Sequence, residues 1–369
     1  MGKGIALALS GGGFRASLFH AGALRRMAEF GLLSRVSKVS AVSGGSIVAG
    51  IWLNDIREYS SSTNIERAKR IEAKVRKLAA TSIDSRSIVG GIFNPFRSIN
   101  ETLVAAYKKQ LFPDNPALDT FSVPIQFTFC ATNLFTGRNV YIDKMGIYDY
   151  RIGYHPKVLT IAEAVAASSA FPPFLSPFKI SLESNLWMLS NYAKSINRIP
   201  PSDFYLTDGG AYDNLGLESV WNDGYDYILV SDAGAPFIEP NRVKSNWLSQ
   251  SNSALEIAID QARGARKRWL IEQFRNSRYD ETISKGAYWG ISSDVADFFL
   301  EDAMPVNSEK SKSLKLIPTR LAPFKKGVDS QLINWGYAIC DTSLRKWRKD
   351  IIDPLAPLPQ WPDETYKLD

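Results

Sequence analysis

The chain has 369 residues, 45% of them hydrophobic and 12% aromatic, enough to bury a sizeable core in one elaborated domain or two. Its 44 basic and 38 acidic residues leave a formal charge of +6, a mild bias that permits contact with an anionic surface and does not call for nucleic acid. Cys130 and Cys340 are too few and too far apart for a disulfide framework, which points to the cytoplasm.

The start reads directly as a strand, Ile5–Leu9, and neither as a secretory signal nor as a myristoylation site, since Ala6 stands where Ser or Thr is needed. Three glycines, Gly11–Gly13, lead into a helical pattern in which Phe14, Leu18, Ala21, Leu24 and Met27 share one face, and Gly31 marks its end. "VSKVSAVS" (36–43) is a second short strand and "SIVAGIWLNDI" a second helix. Strand–helix–strand–helix in this space predicts a parallel α/β sheet. From about 60 to 117 the chain turns to charged helix and a polar Gly/Pro-containing stretch, read as an insertion over the sheet edge or over the site. "VPIQFTFCATNL" and "NVYID" form a strand pair around "FTGR". "DFYLTDGG" and "DYILVSDAG" are apolar strands ending in Asp and Gly. A long helical region follows Pro240, then a Trp- and Pro-rich end, about 330–369, expected to pack on a single domain spanning 1–369. No stretch reaches the roughly 18 apolar residues of a membrane span, and a soluble protein is expected.

The glycines admit two readings. "GGGFRA" fits the dinucleotide fingerprint, but the acidic residue wanted at the end of the second strand is replaced by "AVSGGS", and no Gly-Lys-Ser/Thr follows for a phosphate loop. The alternative starts from "AVSGG", close to G-x-S-x-G: Ser43 on a sharp strand-to-helix turn with small neighbours, Ala41 standing where Gly is usual. Gly44 then offers its N–H at a helix start, and the Gly11–Gly13 loop lies at the same sheet end. Two such sources make an oxyanion hole.

For the base, Asp208 in "LTDGGAYDNLG" and Asp232 in "LVSDAGA" compete as strand-end carboxylates, Asp232 reading more as a loop cap. His155, with Asp143 or Asp149, keeps a Ser–Asp–His order formally open. His20, inside the first helix, reads as a packing residue. Two histidines and two cysteines away from ligand spacing, and no calcium loop, call for no metal.

Taken together, "SGGGFR", "AVSGGS", "DGG" and "AVAASSAFPPFLSPF" (164–178) resemble the patatin-like phospholipase family, as does the late "LINWGYAICDTSLR". The resemblance implies a three-layer α/β/α sandwich with a mostly parallel central sheet, and a Ser–Asp dyad without histidine or cofactor. By carry-over Ser43 is the nucleophile and Asp208 the base. Gly11, Gly12, Gly13 and Gly44 form the oxyanion and substrate-binding loop, with Arg15 bracing it and Asp213 and Asn214 structural. The implied activity is a phospholipase A or lysophospholipase working through an acyl-enzyme on a membrane phospholipid or other lipid ester. Other readings are an acyltransferase on the same elbow, a nucleotide-responsive phospholipase effector, and a non-catalytic nucleotide- or lipid-binding module. Peripheral membrane contact is expected, and the insertions leave room for a regulatory small molecule or a homo-oligomer. "QARGARKRWLIEQFRNSR" (261–278) reads either as a solvated helix face or as an anionic docking surface built on Arg263, Arg266, Lys267, Arg268, Arg275 and Arg278.

Overall fold

The computed structural model describes residues 3–83, 99–172, 175–239 and 246–369. The first units are β1 (Ile5–Leu9), α1 (Gly13–Glu29), β2 (Val36–Val42) and α2 (Gly44–Glu58), as the spacing predicts. Of the expected insertion, about 60–117, helices α3 (Asn64–Ala79) and α4 (Ile99–Gln110) are described; its residues 84–98 lie outside the described residues, as do 173–174 of the Ala/Ser-rich segment. Next come β3 (Gln126–Asn133), β4 (Arg138–Asp143), β5 (Gly146–Asp149), β6 (Gly153–His155), α5 (Ile161–Ser168) and β7 (Phe178–Ser181). The rest is β8 (Met188–Leu189), α6 (Asn191–Ser195), β9 (Asp203–Asp208), α7 (Gly210–Asp213), β10 (Tyr227–Asp232), α8 (Trp247–Asn276), β11 (Lys285–Gly290), α9 (Ser308–Leu314) and α10 (Val328–Trp347).

The described strands form one sheet in the order β11-β10-β1-β2-β3-β4-β5-β6-β8, with β9 paired to β3 and β7 to β9. From β11 to β3 the central strands run parallel. Beyond β3 the sheet continues as an antiparallel wing. Parallel strands are buried on both faces, and β1 shows it: all five residues are buried. Ile5, Leu7 and Leu9 join the core shared with α1, α2 and α10, while Ala6 and Ala8 join a second core with Leu215, Leu217 and Leu270 of α8. Those two faces give the expected α/β/α layers.

On the first face α1 and α10 cross at backbone contact. A Cβ on Gly22 would run into the Ile333 carbonyl, and one on Gly336 into the Phe19 carbonyl. Beside the crossing, buried Arg26 is ion-paired with Asp341 at 2.8 Å and lies over the Phe30 ring. Helix α3 is tied to α1 by Arg25–Glu72, 3.0 Å. Among the described residues no helix is long and apolar enough to cross a membrane.

Candidate active site

At the C-terminal end of β2 the chain turns into α2 within one residue. Ser43 makes that turn at φ 51°, ψ −116°, a left-handed conformation that a side chain seldom adopts. The turn also demands small neighbours: a Cβ on Gly44 would collide with the Gly13 carbonyl, so the starts of α1 and α2 touch through their glycines. The first N–H groups of each helix have no acceptor within it, and Gly13 and Gly44 are the first residues of α1 and α2. Gly12 (φ 144°) and Gly13 (φ 60°) carry the loop that leads in. Gly11 donates its N–H to the Asn214 carbonyl (3.0 Å) and Phe14 to the Arg320 carbonyl (3.0 Å).

Arg15 is buried behind this loop. Its Nε and Nη2 donate to the Ala233 carbonyl (3.2 and 3.0 Å) and its Nη1 to the Ile317 carbonyl. Burial, helped by Arg263, pulls its pKa down to about 10. Its fork spans two loop carbonyls and so braces the segments beside the glycines.

Asp208 arrives from the opposite direction. β2 pairs with β3 as far as Val42 opposite Cys130, and antiparallel β9 pairs with it from Leu206 opposite Asn133 down to Asp208 opposite Ala131. β4 holds the other edge of β3 over Ala131–Asn133, so β9 lies on the β2 edge and the two strand ends face each other. Asp208 Oδ1 accepts the Gly210 N–H at 2.7 Å, whereas its Oδ2 is buried without a hydrogen-bond partner. Burial pushes the Asp208 pKa up to about 6, opposed by the adjacent Ser43 hydroxyl and the Gly210 N–H. A serine hydroxyl beside a desolvated carboxylate has an acceptor for its proton within the site.

Two polar side chains hold the site: Asn214, which the resemblance marks as structural, and Ser168, whose role carries no chemical signal in the sequence. Ser168, at the end of α5, accepts the Ser43 N–H (3.0 Å), donates to the Cys130 carbonyl (2.6 Å) and bonds the Ser46 hydroxyl (2.7 Å). Asn214 packs its side-chain amide against Gly11, Gly210 and Gly234. The nearby Ala170 carbonyl fixes the Asp208 N–H at 3.0 Å. From the insertion, buried Tyr107 reaches Ser169 (3.0 Å), its pKa raised by burial and further by Asp208.

The other sequence candidates go elsewhere. His20 is buried with Nδ1 on the Ser231 hydroxyl (2.8 Å) and Nε2 on the Ser10 carbonyl (2.9 Å), and burial lowers its pKa to about 4. His155 bonds the Glu183 carbonyl and the Lys157 N–H and packs on Trp187. Asp149, one of the carboxylates weighed with it, is engaged by Asn133 and Thr136, and Asp143 by Gln126 and the Met145 N–H. Asp232 caps its own turn at Gly234 and accepts from Tyr288 (2.6 Å) and Arg263 (3.4 Å). Asp213 caps Leu215 and Glu218 and faces Arg266.

The basic run of α8 divides, with Arg268, Arg275 and Arg278 exposed and the other three turned inward. Arg263 turns inward to Asp232 and Asp260, Arg266 to Asp213 and Glu218, and Lys267 lies over the Tyr288 ring. Half of the expected docking cations thus hold α8 on the sheet. Among the described residues no cluster of three or more His, Cys, Asp or Glu could hold a metal ion.

A cavity of about 380 Å³ opens on Ser43 and Asp208, lined also by Gly12, Phe171, Asn214 and Arg320. The family model described as patatin-like phospholipase matches residues 7–221, more than half of the chain and a span that holds both residues. Among solved structures, human GIVD cytosolic phospholipase A2 is similar in fold at a TM-score of 0.58 and 13% identity, over 95% of this chain and 63% of that one. The same enzyme in complex with methyl gamma-linolenyl fluorophosphonate gives 0.52 and 13%, over 94% and 58%. The chain therefore spans less than two thirds of that enzyme's length. No curated protein matches it in sequence.

Proposed function

The chain belongs to the patatin-like phospholipase family, and from that membership we propose that it hydrolyses lipid esters with Ser43 as nucleophile and Asp208 as base. One observation carries this reading: the strained Ser43 stands beside a buried carboxylate whose Oδ2 has no other partner. Asp208 takes the hydroxyl proton as Oγ attacks the ester carbonyl. The oxyanion that forms accepts from the N–H groups of Gly12, Gly13 and Gly44, aided by the positive ends of α1 and α2. The carboxyl then returns the proton to the departing alcohol, leaving an acyl-Ser43. A water deprotonated by Asp208 attacks the acyl carbon, and the fatty acid leaves as Ser43 regains its proton.

The cavity suits a lipid, since Phe171, Phe237, Ile238 and Ile259 line it together with the polar pair. Phospholipid or lysophospholipid is the substrate class we assign, and the chain acts as one catalytic domain visiting a membrane surface from the cytoplasm. Treatment with a fluorophosphonate, followed by mass spectrometry, tests the assignment. The adduct is expected on the peptide carrying Ser43 and is lost in Ser43→Ala, together with fatty-acid release from phospholipid. A protein that releases fatty acid but carries its adduct on another serine overturns the assignment of Ser43.

A further inference from the structure

The antiparallel wing carries exposed apolar side chains that the site itself does not use. Its geometry places many of them at one end. β3 runs parallel to β2, so the β3–β4 turn lies at the Ser43 end of the sheet, and there Leu134 and Phe135 are exposed. β4 runs away from that end and β5 returns to it, bringing exposed Tyr150 to the same level. β6 descends from there and β8 rises, so that α6 and the loop after it present Tyr192, Ile196 and Ile199, the last 83% exposed. The Leu134 N–H donates to the Tyr205 carbonyl, which joins β9, and so Asp208, to these tips.

Cations are threaded between them. Arg151 lies over the Tyr192 ring (4.9 Å) and donates to its hydroxyl, and Arg198 lies over the Phe135 ring (5.1 Å). Arg151 Nε and Arg198 Nη1 are shielded from solvent with no hydrogen-bond partner. Among the described residues no carboxylate pairs with the side chains of Arg151, Lys194 or Arg198. In contrast, Arg263 and Arg266 of α8 have such partners.

We propose that this tip of the wing, built on Phe135, Tyr150 and Ile199 with Arg151, Lys194 and Arg198, is the surface that seats the protein on a phospholipid bilayer. Two features select a bilayer as occupant. Aromatic rings with a polar edge belong at the headgroup level, where aliphatic tips enter the acyl boundary. Basic groups with no carboxylate partner among the described residues leave their charge for lipid phosphates, and each one near an anionic surface adds to attraction within the screening length. The location makes the contact useful, because the tips share the sheet end at which the cavity opens. The inference rests on the lipid-hydrolase reading for its purpose, not for its geometry.

The test uses the full chain and two sets of variants, all at side chains outside the cavity. Flotation with phosphatidylcholine vesicles and with equimolar phosphatidylcholine–phosphatidylserine vesicles measures partition. Phe135→Ser, Tyr150→Ser and Ile199→Ser combined should lower partition onto both by about tenfold or more. Arg151→Gln, Lys194→Gln and Arg198→Gln combined should lower it by about tenfold or more on the anionic vesicles only. Soluble-ester turnover and circular dichroism should be unchanged in both. Vesicle binding that persists in both variants overturns the proposal, as does a wild-type oligomer that falls to monomer in the apolar variant, which would make the patch an interface between copies. Variant-sensitive vesicle binding by a protein with no ester turnover would support the surface while removing the enzymatic reading.

Discussion

Ser43, one residue past the end of β2, and Asp208, the last residue of β9, meet along one edge of β3, with Val42 opposite Cys130 and Asp208 opposite the next residue, Ala131. Their meeting is therefore set by backbone register, not by a chain of side-chain contacts. A slip of one residue in either pairing would turn the side chain to the other face of the sheet.

The carboxylate must be ionised to receive the Ser43 proton, and its pKa is pushed up to about 6. Soluble-ester kcat/KM should accordingly be flat at neutral pH and fall as pH drops through about 6. Asp208→Asn should lose about 10³-fold or more, the scale on which members of such a catalytic unit act. A wild-type profile without an inflection near that pH would remove Asp208 as the base.

The same group should weaken the fold. Its folded pKa lies above the unfolded value near 3.9, so the folded protein holds the proton more tightly. Stability from this group is present at pH values below about 4 and is lost as pH rises toward 6, a cost of about 3 kcal/mol above that range. Asparagine keeps an oxygen for the Gly210 N–H and cannot ionise. Urea unfolding should find Asp208→Asn more stable than wild type at pH 8, with the gap closing near pH 4.

Ser168→Ala would leave the Ser43 N–H and the Cys130 carbonyl without their partner. A loss of about 1–3 kcal/mol in stability is expected. Because the elbow is held from this side, kcat should fall with KM little changed, measured at a temperature where the variant is fully folded. Wild-type kcat would show that the elbow holds itself.

Gly44→Ala would drive a methyl group into the Gly13 carbonyl and part the two helix starts. Turnover should fall about 10²- to 10³-fold, as when an oxyanion donor is lost. Gly224→Ala is the control: its φ is also positive, at 73°, but nothing lies within 4 Å of the added carbon. It should cost about 1–2 kcal/mol in stability and no activity.

The two histidines should separate stability from catalysis. His155→Ala should leave turnover intact. His20→Ala removes hydrogen bonds to Ser10 and Ser231 and should lower the melting temperature, while the folded protein keeps its kcat. A thousandfold loss of kcat in His155→Ala would contradict a Ser–Asp pair working alone.

How much of this was legible in the sequence follows from the range of each interaction. The opening strand, the glycine loop and the Ser43 turn are local, and their residues show the backbone they need. Asp208 was legible as a strand-end carboxylate before two glycines, but its approach to Ser43 depends on the antiparallel return of β9 along β3. Ser168 was hidden, since a serine in an Ala-rich helix looks the same whether it caps, packs or holds an elbow. The α8 cations were ambiguous between solvent and a docking role because their partners, Asp232 and Asp213, lie on distant segments. The wing tips gave no periodic signal at all, being single residues in short turns.

Placement of β10 between β1 and β11 has a consequence for how the chain is made. Synthesis delivers β1, α1 and β2 well before β10, so the other edge of β1 has no partner until residue 232 has emerged. The glycine face of α1 waits longer still, for Ile333 and Gly336 of α10. Throughout that interval the nascent chain shows an open strand edge and an uncovered helix, both prone to the wrong partners. Release from the ribosome at residue 221, where the family match stops, would yield a fragment holding Ser43 and Asp208 but lacking the strand and helix that close around β1 and α1. Such a fragment should depend on chaperones and aggregate without them.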